Sequence, residues 1–412
     1  MTGASDDDPS GVATYFQVGA QFGYGLLWPM LSSYPLMATI QEISARLGRV
    51  TGHGIAGNLR RHYSPVWLWG ITALLLVANV INLGADIGAM GASVQLLVGG
   101  PALLYSALFA AVLVLLQVFV PYTRYARFLK WLTVALFAHV VTVFGGARAL
   151  GRGPEGHTAA APELGAAPIQ ALVAVLGTTI SLCLFLWQTS QEVSDTDTHE
   201  FESPLKRAPE QAPVRFHRIR TDTFLGMAFL NLVAYFIILT AAAVLHASGK
   251  IDIQTSAQAA EALRPVAGPF AFVLFAAGII GTGLLTLPVL AGSAGYALGE
   301  ALRWPVGLER KTCQVRGFYA IIAVSTLLGL DLVLKIDPIK ALFYSAIING
   351  VTAAPVMLLI MLMASNTRIM GAFTLKGWLR WVAGHGGDGR GRHRRVHHSG
   401  EVRASHREGQ SP

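Results

Sequence analysis

The chain has 412 residues, 53% of them hydrophobic and 13% charged, with a formal net charge of +8 and a mean hydropathy of +0.51. A soluble domain carries about twice that charged fraction, which excludes a soluble enzyme and points to a polytopic membrane protein. The basic balance fits cytoplasmic loops rather than nucleic acid, and the two cysteines, Cys183 in an apolar span and Cys313 in a basic loop, make no disulfide framework.

The N-terminus is acidic and lacks a basic n-region, so no cleavable signal peptide is expected. Asp6-Asp7-Asp8-Pro9-Ser10-Gly11 sets three carboxylates, a proline and a glycine beside the first apolar stretch. Ionisable groups at membrane depth are expensive and mark ion or substrate pathways. Pro9 lacks a backbone donor and Gly11 loosens a helix, so a helix break is expected here. Freed carbonyls beside a carboxylate make a cation site.

Ten spans of membrane-crossing length follow. The first runs from Val12 to about Trp28 and merges, after Gly23-Tyr24-Gly25, into a second ending near Ile43. The others are Val66–Leu97, Ala102–Val120, Phe128–Phe144, Ile169–Trp187, Phe224–Leu245, Ala267–Leu298, Phe318–Leu334 and Lys340–Met363. Several exceed one straight crossing and must tilt or bend.

Every second loop is rich in cations: Arg46, Arg49, Arg60 and Arg61; Arg124, Arg127 and Lys130; Lys206, Arg207, Arg215, Arg218 and Arg220; Arg303, Arg310, Lys311 and Arg316. The loops between carry few, namely Arg148 and Arg152, Lys250 and Arg264, and Lys335. The positive-inside rule assigns the rich set to the cytoplasm of a bacterial-type inner membrane. The tail, residues 384–412, is Gly-, Arg- and His-rich without apolar period and reads as disordered, basic and cytoplasmic. A solvated tail is a simpler account of its histidines than metal binding.

Transporters bind their cargo where broken helices of two repeats meet near the bilayer midplane. About five spans after the Asp8–Gly11 segment, Gly177-Thr178-Thr179-Ile180-Ser181 places small and hydroxyl residues inside an apolar span. Such residues also serve plain helix packing; the matching position one repeat later is what favours a site.

Asp8-Pro9-Ser10-Gly11-Val12-Ala13-Thr14-Tyr15, then Gly19-Ala20-Gln21-Phe22-Gly23-Tyr24, resembles the first span of the NRAMP divalent-metal transporters, whose signature is Asp-Pro-Gly-Asn followed by an Ala-Gln-Phe-Gly-Tyr run. Ser44-Ala45-Arg46-Leu47-Gly48-Arg49-Val50-Thr51-Gly52 is similar to that family's loop after the second span, and Asp86 stands where the family also has an aspartate. Gly177 to Ser181 is similar to the segment that ends in the family's Met-Pro-His. The resemblance runs over roughly residues 5–375. It implies an all-α polytopic membrane fold with LeuT-like inverted five-helix repeats (about residues 5–147 and 168–363, within a transmembrane domain 1–383), about ten transmembrane helices and alternating access.

The chain departs from the family at its ligand positions. Gly11 replaces an asparagine, Ser181 a methionine, Leu182 a proline and Cys183 a histidine. Soft sulfur favours transition metals, whereas carboxylate, carbonyl, hydroxyl and water suit Mg²⁺, Ca²⁺ or Mn²⁺. Asp8, Gly11, the Thr178 carbonyl and the Ser181 hydroxyl therefore form a harder, roomier set, and Mg²⁺, which keeps its waters, suits a wide site. The sequence is similar to the family's magnesium-type branch, and the expected cargo is Mg²⁺ or Mn²⁺ with no resident cofactor. Loss of the histidine weakens the expectation of the family's usual proton coupling.

Asp7, Asp86, Asn349 and Cys183 are expected lesser contributors to the pathway. Each has a bland alternative: Asp86 as a hydrogen-bonded structural carboxylate, Cys183 as a small inert hydrophobe, Asn349 as a packing residue of the tenth span. His139 reads as a satisfied core histidine, Asp331 as an interfacial group beside Lys335, and the Glu192–Asp197 run as a solvated loop. The family has half a helix before its aspartate motif, where this chain has Met1 to Asp7, and an eleventh span where this chain has its basic tail. No His/Glu metal motif, nucleophile elbow or phosphate loop indicates an enzyme. Divalent-cation transport across the bilayer is the expected function; the alternative is a degenerate or regulatory NRAMP-like membrane protein without transport.

Overall fold

Asp8 starts the first helix: its extended backbone (φ −97°, ψ 163°) and side-chain acceptor cap α1, Pro9–Phe22, and Pro9 occupies the first turn. A proline there fits a helix start, since its missing N–H would be unpaired anyway. Helix α1 thus begins at the expected break, and Gly11 lies inside its first turn. The computed structural model describes residues 8–120, 165–198, 202–253, 256–261, 264, 268–308, 314–333 and 338–375; Asp6, Asp7, His139, Cys313 and the tail 384–412 lie outside them.

A 3-10 turn, Gly23–Leu26, leads to α2, Trp28–Thr51, which stops at left-handed Gly52. A short helix missed by the hydropathy pattern, α3, Ile55–His62, precedes α4, Pro65–Val98, and α5, Ala102–Phe119. The sixth span is two helices, α6, Ala166–Thr179, and α7, Leu182–Thr198. After them come α8, Ala212–Val244; α9, Ser256–Glu261; α10, Ala271–Leu302; α11, Arg316–Val333; α12, Pro338–Ser365; and α13, Thr367–Met370. The described residues form helices and turns without a strand.

Nine of the ten expected spans correspond to these helices, the sixth as the α6–α7 pair, and Phe128–Phe144 lies outside the described residues. Among the described residues, six segments are long and apolar enough to cross a membrane: α4, α5, α6–α7, α8, α10 and α12. Helix α8 begins well before the expected Phe224 because Arg215, His217, Arg218 and Arg220 are polar yet helical.

The packing explains the polar content of the inner helices. Helix α4 lies against α10, α11, α5 and α12, while α1 lies against α8, α12 and α6, and α2 against α7 and α8. In α2 the segment Met37–Ala45 is buried throughout, Gln41 and Glu42 included, so its charges meet protein rather than lipid. The Ser44 hydroxyl pairs with that of Thr189 at 2.6 Å, and Gln41 donates to the Leu184 carbonyl at 3.1 Å and to Gln188, tying α2 to α7. By contrast α5 exposes Leu104, Leu108, Leu115 and Phe119 along one face, an apolar stripe suited to acyl chains.

Candidate functional site

Two helix ends meet at the position the sequence singles out. On one side, Asp8 caps α1: its Oδ1 accepts the Gly11 backbone N–H at 2.6 Å and its Oδ2 accepts the Ser10 hydroxyl at 2.7 Å. On the other, α6 ends at Thr179, Ile180 is non-helical (φ −105°, ψ 74°), and α7 starts at Leu182. The last backbone bond of α6 runs from the Ile180 N–H to the Leu176 carbonyl at 2.8 Å. Carbonyls beyond it, Thr178 included, have no following helical turn to bond and carry the negative end of the helix dipole.

Gly11 brings the two together. A Cβ on Gly11 would stand 3.2 Å from Asp8 Oδ1 and 3.7 Å from Thr178 Cβ. The Thr178 hydroxyl pairs with the Tyr15 hydroxyl at 3.2 Å and donates to the Val175 carbonyl at 3.0 Å. Asp8 is 8% exposed and Thr178 6%, so a carboxylate, hydroxyls and free carbonyls converge where water is scarce, and Coulomb attraction for a cation is strong.

Ser181 is half-buried in the break and pairs with the Cys183 sulfur at 3.0 Å. Cys183 is itself buried in the apolar core, with its thiol beside the Ser181 hydroxyl. Among the described residues no hydrogen bond joins Asp8 to Ser181 or Asn349. Asn349 is buried on α12 and precedes Gly350, which abuts the Val173 carbonyl of α6. Also among the described residues, no three His, Cys, Asp or Glu side chains converge as a metal cage.

Asp86 is fully buried on α4. The Ser10 N–H of α1 bonds toward its carboxylate, and Asp8 is the neighbouring like charge. One turn away, the Asn82 oxygen is buried without a partner, and Asn79 donates to Ser293 of α10 at 2.7 Å. On α1 the buried Thr14 hydroxyl also lacks a partner.

Tyr15, Thr14 and Asn82 were absent from the expected set. Asn82 had a signal: Asn79, Asn82 and Asp86 stand at i, i+3 and i+7, one face of one apolar helix. Tyr15 lies one turn beyond Gly11, on the same face of α1.

The family profile described as Natural resistance-associated macrophage protein-like, Nramp, matches residues 1–386. A divalent metal cation transporter MntH of Deinococcus radiodurans is 29% identical over 394 residues, 90% of this chain and 83% of that protein. A divalent metal cation transporter MntH of Klebsiella pneumoniae is 26% identical over 388 residues, 91% of this chain and 87% of that one. Among solved structures, the Eremococcus coleocola manganese transporter in complex with an aromatic bis-isothiourea compound superposes with a TM-score of 0.67 at 17% identity, over 93% of this chain and 81% of that chain. Mhp1 in an inward-facing conformation superposes with a TM-score of 0.53 at 16% identity, over 90% and 74%. At these identities the structural likeness concerns the fold, which is the LeuT-like arrangement the sequence implies.

Proposed function

The chain belongs to the Nramp family, and from that premise we propose that it moves a divalent metal cation across a membrane by alternating access, with Asp8 as the charged ligand. The relatives at 26–29% identity are named as divalent metal cation transporters, in keeping with a chain that is not an enzyme.

One observation carries the reading: the Asp8 carboxylate at the start of α1 and the unbonded carbonyl end of α6 face one another across Gly11 and Thr178. Each is a cation-seeking end, and the two belong to the two interrupted helices of such transporters. Gly11, the Thr178 carbonyl and the Ser181 hydroxyl complete the proposed ligand set. Asp86, buried beside Asp8 and Ser10, serves the pathway next to it, and Asn349 and Asp7 are secondary contributors.

The donors are oxygen, and oxygen favours a hard ion, Mg²⁺ or Mn²⁺. Manganese has the support of the named structural relative. The Cys183 sulfur is directed to Ser181 and is assigned to orient that hydroxyl rather than to bind the ion. The proposed membrane is a bacterial inner membrane, with the cation-rich loops in the cytoplasm.

Uptake of Mn²⁺ and of Mg²⁺ by proteoliposomes holding the full chain tests the reading. Accumulation of either ion above that of protein-free vesicles is expected. Accumulation of neither overturns transport, and equal preference for Cd²⁺ overturns the hard-ion assignment.

A further inference from the structure

The arginines near the α2–α3 end of the bundle fall into two sets. Arg46 pairs with Glu42, Arg49 with Glu202, Arg215 with Glu202, and Arg218 with Glu192 and Asp195. A second set has no carboxylate partner among the described residues: Arg61 and His62 of α3, Lys206 and Arg207 of the turn before α8, Arg303 after α10, and Arg368 of α13. All six are exposed.

These six come from four distant segments and share one patch. The Lys206 ammonium donates to the Arg368 carbonyl at 3.0 Å, and Arg60 of α3 donates to the Glu300 carbonyl at the end of α10. Arg303 and Arg61 act on Arg60, and Lys206 and Arg61 act on His62. His53, in the loop before α3, is pushed down to about 4 by burial and then by Arg61, Arg60, His62 and Arg207. The nearby carboxylate, Glu300, is turned inward, accepting the Gly57 N–H at 2.9 Å and the Ser190 hydroxyl at 3.2 Å. Glu300 offsets Arg60 alone, so among the described residues the patch keeps an excess of positive charge.

Two further features fix its depth and its purpose. Trp67 and Trp69 at the start of α4, and Trp304 directly after Arg303, are exposed large aromatics at the same end. Exposed tryptophans of a membrane protein sit at the headgroup level. Arg303 is the one non-glycine residue with positive φ (62°) among the described residues. Glycine is the usual occupant of that helix-ending position, so an arginine held there presents a guanidinium at a backbone disadvantage.

We propose that this patch binds the phosphate headgroup of an anionic phospholipid in the facing leaflet. Guanidinium groups match phosphate oxygens in paired geometry, and basic pockets at helix ends of membrane proteins take such headgroups. A phosphate seated here bridges α3, the α7–α8 turn, the end of α10 and α13. The generic attraction of scattered loop cations for a charged leaflet does not require convergence of four segments or a strained Arg303.

The full chain in vesicles of phosphatidylcholine doped with brominated phosphatidylglycerol tests this, read by tryptophan quenching against brominated phosphatidylcholine. Each contacted Lys or Arg contributes roughly a five-fold preference. Arg303→Gly, which relaxes the backbone and so folds at least as well, is expected to lower the preference about five-fold. The triple variant Arg61→Gln, Lys206→Gln, Arg207→Gln is expected to lower it by more than ten-fold. Excess inorganic phosphate is expected to leave the quenching unchanged. Equal quenching by the two brominated lipids, an undiminished preference in Arg303→Gly, or displacement by inorganic phosphate, which marks a soluble-phosphate site, overturns the proposal.

Discussion

Asp8 Oδ1 accepts the Gly11 backbone N–H at 2.6 Å, so the carboxylate proposed to bind the cation is also the cap of the helix that carries it. The two roles separate by substitution. Asn caps a helix about as well as Asp, whereas Ala costs about 1 kcal/mol. Asp8→Asn is therefore expected to keep the melting temperature in detergent, and Asp8→Ala to lower it by a few degrees. A larger loss in Asp8→Asn than in Asp8→Ala contradicts the capping geometry.

Gly177 sits where α6 crosses α12, and a Cβ there would press into the Ala346 carbonyl and the Gly350 backbone. Backbone cannot rotate aside as a side chain can. Gly177→Ala is expected to cost about 1–3 kcal/mol in thermal or denaturant unfolding and to displace Thr178 from Tyr15. An unaffected stability contradicts the close crossing.

Ser181 and Cys183 lie 3.0 Å apart in the α6–α7 break. Ser181→Met supplies a thioether and is expected to shift uptake preference toward Cd²⁺ over Mg²⁺ by about ten-fold or more. Cys183→Ser is expected to leave the ion preference unchanged. A shift with Cys183→Ser and none with Ser181→Met assigns the sulfur, not the hydroxyl, to the ion.

Much of this was legible in the sequence because the bilayer demands it. Apolar length gave the spans, and Asp8, Gly11 and Thr178, picked out by broken-helix positions, do come together. The misreadings have local causes. Helix α3 is too short and polar for a hydropathy window. Glu192 reads in the sequence as part of a solvated loop, but it lies in α7 and meets Arg218 at 2.9 Å. That pairing, like the Gln188–Thr223 bond, reaches from α7 to α8 through long side chains, a tertiary fact with no local signal.

Arg49 is completely buried, held by Glu202 and, at 3.9 Å, by Glu192, while Arg218 is 43% exposed. Removing a partner from a buried charge is far more damaging than from an exposed one. Glu202→Gln is expected to cost roughly 3 kcal/mol and Arg218→Gln less than about 1 kcal/mol in unfolding. Equal losses contradict the buried network.

His53 titrates at about 4 instead of its ordinary 6.5, through burial and the cations Arg61, Arg60, His62 and Arg207. Between those values the unfolded chain binds the proton and the folded chain does not. The stability contributed by neutral His53 is thus complete above about pH 6.5 and falls as the pH drops toward 4. His53→Asn is expected to flatten part of that acid limb in melting-temperature profiles; an unchanged limb contradicts the assignment.

The Asp8 charge is proposed to bind the transported ion. Its most direct measurement is Mn²⁺ and Mg²⁺ uptake by proteoliposomes of the unmodified chain and of Asp8→Asn, at matched incorporation and melting temperature. Uptake by the first is expected, with a loss of at least about ten-fold in the second, equivalent to roughly 1.4 kcal/mol or more of ion interaction. Undiminished uptake by Asp8→Asn contradicts it.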